Sequence, residues 1–187
     1  MHAFEDDEAP PPPPRHTALT IWGVCAAILL VPSVLVWSVR LTAMALQCAP
    51  AAGLCHGLPL GAGLRDTLGL AWLVGTDTFA AVVLALIASI AALIDRRPLL
   101  AALSLLLLPV AALVLPTLAV YISTYDGCQV NEAGVGTCML WGASMGMSFH
   151  HADSVPWLIY GCVPYSFALS LMIGAIGFLF FRPKNQE

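Results

Sequence analysis

A chain of 187 residues that is 59% hydrophobic and only 10% charged is too apolar for a soluble core, since an ordinary globular domain is about a quarter charged and at most about half apolar. Its net charge of −4 and pI near 5.6 argue against nucleic-acid binding, because no cluster of Lys or Arg is present to neutralise a run of phosphates. The composition predicts an all-α integral membrane protein: a four-transmembrane-helix bundle, both termini cytoplasmic, with two disulfide-stapled extracytoplasmic loops.

Residues 1–16 open the chain with Glu5, Asp6, Asp7 and Glu8 followed by Pro10 to Pro14. Such a stretch cannot bury enough apolar surface to fold, and it is expected to be a disordered cytoplasmic tail. The acidic leader does not fit a cleaved signal peptide, which begins with a basic region. Nor do Ala45, Leu46 and Gln47 give the small-residue pattern of a lipoprotein signal before Cys48. The transmembrane domain is placed at 17–181. A spanning helix needs about twenty mainly apolar residues, and Thr17 to Trp37, Leu68 to Ile94, Leu99 to Ile122 and Trp157 to Phe181 meet that length without a Lys or Arg. Residues 182–187 are a short cytoplasmic tail. Pro32, Pro109, Pro116 and Pro164 each remove a backbone donor and are expected to bend these helices. In the fourth span, Ser170, Gly174 and Gly177 form a smooth ridge on which another helix, in a second copy, could seat closely.

Orientation follows from Lys and Arg, which collect on the cytoplasmic side. Arg15, Arg96, Arg97, Arg182 and Lys184 account for five of the seven basic residues on one side, leaving Arg40 and Arg65 on the other. Trp37, Trp72 and Trp157 mark the outer interface and Trp22 the inner one. The outer loops are then residues 38–67 and 123–156, with a tight cytoplasmic turn at Asp95-Arg96-Arg97-Pro98. A bacterial inner membrane is the expected location.

Cys25 and Cys162 fall within spans at depths that differ by roughly 10 Å, too far for a disulfide, and both are expected to be buried free thiols. Cys48, Cys55, Cys128 and Cys138 fall in the outer loops, where an oxidising compartment would pair them. Three connectivities exist. Cys48 with Cys55 and Cys128 with Cys138 is preferred, because one pair per loop needs the least closure entropy.

Four spans with two cysteines in each outer loop resemble the layout of the quinone-reducing disulfide generators of bacterial membranes. That family carries a Cys-x-x-Cys pair in its first loop, whereas six residues, Pro50 among them, separate Cys48 from Cys55. The vitamin K epoxide reductases, also four-helix proteins, likewise use a Cys-x-x-Cys motif absent here, so neither family is assigned. A thiol would need a nearby cation for activation, and Arg40, Arg65 or His56 would have to supply it. Arg65 could serve a quinone or a thiolate, or could pair with Asp66. A second constellation, Met145, Met147, His150 and His151, gathers soft sulfur and imidazole donors suited to copper. The same segment is apolar enough to lie in the interface or dip into the membrane, with the histidines capping the last helix or facing water.

Asp77 is the one ionisable group within an expected span and a candidate for proton or ion chemistry. Counting back from Ile94 puts it close to the outer interface, where contact with Arg65 is an alternative. No histidine lies inside a span to ligate haem, and no phosphate loop, nucleophile elbow or zinc motif occurs. The functional expectation is therefore a non-enzymatic accessory or assembly subunit of a membrane complex, with the lipid bilayer and other membrane-protein subunits as partners. No cofactor is expected. Quinone-linked thiol-disulfide exchange and copper handling are the alternatives.

Overall fold

The computed structural model describes residues 16–122 and 138–180. The expected disordered tail, Cys128 and the C-terminal tail lie outside the described residues. Among the described residues there are five α-helices, α1 His16–Ala45, α2 Leu60–Trp72, α3 Ala80–Ile94, α4 Pro98–Ile122 and α5 Gly146–Phe180, and strands β1 Met139–Leu140 and β2 Ala143–Ser144 precede α5. Three of the helices, α1, α4 and α5, are long and apolar enough to cross a membrane; a fourth candidate arises if α2 and α3 count as one bent span.

The helices overrun the expected spans at one end. α1 continues past Trp37 to Ala45, and α5 begins eleven residues before Trp157. Two of them stop in the same way. Gln47 (φ 51°) and Arg96 (φ 57°) adopt the left-handed conformation, and the amides that follow reach back to Ala43 and Ala92, the pairing of a Schellman terminus. Pro98 then opens α4, where a missing amide proton costs nothing, so the Asp95–Pro98 turn is as tight as expected. An ion pair of 2.8 Å between Arg97 and Asp95 closes it.

The expected span over 68–94 is not one helix. α2 runs into a π-helical turn at Leu73–Asp77, Phe79 takes φ 53°, and α3 leaves at 72° to the preceding helix. The cause is local. Thr76, Asp77 and Thr78 offer the backbone competing hydrogen bonds, and the Thr78 hydroxyl donates to Leu73 O at 2.8 Å, five residues back. Gly75 lets the turn approach Leu113 of α4.

Packing is tight at the end carrying the Asp95–Pro98 turn. Ala81, Ala85, Ala88 and Ala92 of α3 recur at helical spacing and are buried against α1 and α4. Small side chains let helix axes come close, which is where apolar helices gain contact without a solvent driving force. Trp22 Nε1 donates to Ser104 Oγ at 2.7 Å at this end. The small-residue ridge of α5 is occupied within the chain: Ser170 Oγ donates to Ala102 O at 2.7 Å, Gly174 faces Ala102, and a methyl group on Gly177 would collide with Pro98. The helix that the ridge seats is thus α4 of the same chain.

Gly177→Ala is therefore expected to cost roughly 1–3 kcal/mol through overpacking. Gly161→Ala in the same helix, where nothing lies within 4 Å, should be neutral or stabilising by up to about 1 kcal/mol. Thermal midpoints of the two variants in one detergent check the difference.

Candidate functional site

The polar and aromatic residues of interest gather at the opposite end of the bundle, where two loops dock on each other. In the first, His56 (φ 49°) and Gly57 (φ 80°) supply the positive φ pair that a two-residue primed turn requires. Cys55 and Leu58 exchange both backbone hydrogen bonds across it, at 3.2 and 2.8 Å. Cys48 and Cys55 are disulfide-bonded, as expected. In the second, Trp141 (φ 49°) and Gly142 (φ 78°) turn the hairpin between Leu140 and Ala143 in the same manner. Cys138, at its base, is disulfide-bonded as well; its expected partner, Cys128, lies outside the described residues.

Close backbone approach holds the loops together. Trp141 N donates to Pro50 O at 3.0 Å. Gly142 packs on the Gly53 carbonyl and Gly61 on the carbonyls of Leu140 and Trp141, at separations that leave no room for a Cβ. Leu140, Trp141, Met145 and Phe149 are consequently buried with Trp72 and Val36 in one core. Under this cap lies Arg40, 3% exposed, its guanidinium 5.3 Å from the Trp141 ring centroid. A buried cation stacked on an indole face gains on the order of 2 kcal/mol. Arg40 was expected in an outer loop; α1 carries it into the core instead. The indole N–H groups of Trp72 and Trp141 are buried and meet no acceptor among the described residues, positions that a buried water or a ligand oxygen would satisfy.

Beside the cap, the π turn presents Asp77 to α5. His151 Nδ1 lies 3.9 Å from Asp77 Oδ1, and the imidazole stacks on Trp72 with centroids 6.3 Å apart and planes inclined by 16°. The Thr76 hydroxyl sits 2.7 Å from Asp77 Oδ1 and 2.8 Å from Trp72 O, one proton facing two acceptors. Asp77 does not meet Arg65. Twelve helical residues place them roughly 18 Å apart, and Arg65 pairs with its neighbour Asp66 at 3.0 Å.

The remaining candidates are dispersed. Met145 is fully buried in the core while Met147 is 58% exposed, and His150 is exposed on the side of α5 turned away from the core. Among the described residues no three His, Cys, Asp or Glu side chains group closely enough to hold a metal ion. Cys25 is a buried free thiol as expected, but Cys162 is exposed, because α5 packs along one side only and residue 162 faces outward. Nothing in the spacing of Arg40, Trp72 and Trp141 along the sequence marks them as one cluster. The sequence signal for the hairpin was Trp141-Gly142, a weaker turn pair than Asn-Gly. No family model matches this chain, and no curated protein or solved structure matches it either.

Cys55 is 3% exposed, which suits a staple better than a thiol that must meet a partner. Replacing both Cys48 and Cys55 by Ser is expected to cost roughly 2–3 kcal/mol for a loop of this size. It should also speed hydrogen exchange at the Trp141 amide. Unchanged stability and exchange would show that the docked loops hold without the crosslink.

Proposed function

We propose that this chain is a non-catalytic, multi-pass subunit of a larger membrane assembly. It would sit in a bacterial inner membrane with four spans, both termini in the cytoplasm and the disulfide-stapled loops outside. The observation that carries the reading is the imbalance of α5: only 11% of its most apolar window is buried, against 33% for α1 and for α4. Its uncovered side bears Trp157, Tyr160 and Tyr165, each at least 71% exposed, and large aromatic side chains of this kind anchor interfaces. Sidedness is supported by the Arg96–Arg97 turn and the Cys48–Cys55 loop standing at opposite ends of the bundle, in accord with basic residues inside and oxidised cysteines outside. The redox and copper alternatives gain no such support, since Cys55 is buried and Met145 is walled off from Met147.

Purification of the full chain from its native membrane in several mild detergents tests this reading. It should elute in one complex of fixed stoichiometry. Tyr160→Ala with Tyr165→Ala should reduce that complex roughly tenfold while leaving the thermal midpoint of the isolated chain in place. Migration of the wild-type chain alone in every detergent would refute the assignment.

A further inference from the structure

The Asp77–His151 contact joins the break between α2 and α3 to a long helix, and the same imidazole lies against Trp72. A gap of 3.9 Å is too long for a working hydrogen bond, so with a neutral imidazole the two side chains do little for each other. Protonation of His151 changes two contacts at once. It gives Asp77 an opposite charge, and it turns the stack on Trp72 into a cation over an indole face. Both changes draw α5 toward the turn where α2 and α3 meet at 72°. That turn combines a π-helical stretch with left-handed Phe79, and π-helical turns in long helices recur at functional sites.

Among the described residues, the other ionisable side chains on the elements around the pair are engaged or placed elsewhere. α4 carries no ionisable side chain except Tyr121, and the 139–144 hairpin carries none. On α2, Arg65 is paired with Asp66 roughly 18 Å along the helix. On α1, Arg40 lies under Trp141 rather than Trp72. In the first loop, His56 bonds Leu46 O. On α5 itself, His150 is exposed and Asp153 lies two residues on, off the face of His151. Asp126 and Glu132 lie outside the described residues.

We propose that Asp77, His151 and Trp72 form a proton-sensitive latch that fastens α5 to the break in the second span when the surrounding medium turns mildly acidic. Histidine is the side chain whose charge changes in that range. A partly exposed ion pair and a cation–π contact together shift the closed-to-open ratio of the latch by roughly tenfold. The latch stands on this local geometry and is independent of any partner subunit.

Hydrogen exchange of the backbone amides from 73 to 79, in the full chain in lipid nanodiscs and corrected for intrinsic exchange, reads the latch directly. Protection should rise roughly tenfold between about pH 7.5 and about pH 5.5. His151→Phe, which keeps a ring on Trp72 but cannot take up a proton, should abolish the rise. Asp77→Asn should reduce it severalfold, and serves as the second variant should the first fail to fold. Equal corrected protection at both pH values in the wild type, or a full rise that persists in either variant, would overturn the proposal.

Discussion

Inside hydrocarbon a backbone amide or carbonyl has no water to turn to and must be paired within the chain, and on the membrane-spanning reading proposed above this constraint would govern where the helices of the bundle can end or break. α3 rises roughly 22 Å from Ile94 to Ala80. On the membrane-spanning reading, the break at Leu73–Phe79 then lies in the outer third of a core roughly 30 Å thick. Even there the backbone is not left open. The Thr78 hydroxyl meets Leu73 O, and the Thr76 hydroxyl reaches toward Trp72 O. The carboxylate at that level, Asp77, is partly exposed and has a histidine and a hydroxyl beside it.

The two ends of the bundle meet the same demand by different means. At the arginine-turn end, alanines of α3 and the Ser170, Gly174 and Gly177 ridge of α5 bring helices into close contact, and the turn itself is closed by a left-handed residue and a proline. At the cap end, helices diverge and loops fill the space. Gly61 and Gly142 allow backbone to lie on backbone, so the loops are a folded layer that shields Arg40 rather than a pair of free segments.

Much of the helical architecture was legible because twenty-residue apolar runs have few other uses, and the Cys48–Cys55 pairing followed from loop closure alone. The break in the second span was not. Hydropathy averages over Gly75-Thr76-Asp77-Thr78, whereas the backbone responds to their hydroxyls and carboxylate one by one. The partner of Asp77 was hidden for a related reason. His151 is 74 positions away, on a helix that begins well before its apolar stretch. Similarly, the spacing of Ser170, Gly174 and Gly177 correctly marked a close helix contact, but a spacing rule cannot say whether the facing helix belongs to the same chain. Trp141 forms the lid over a buried arginine, which depends on a turn whose first residue carries no sequence preference for it.

The proposed bundle crosses the bilayer with the stapled cap and the arginine turn on opposite sides. Labelling of Leu54→Cys and Arg96→Cys with a membrane-impermeant maleimide, in intact and then in permeabilised cells, checks that arrangement. Leu54→Cys should label in intact cells and Arg96→Cys only after permeabilisation. Labelling of both positions from the same side would contradict it.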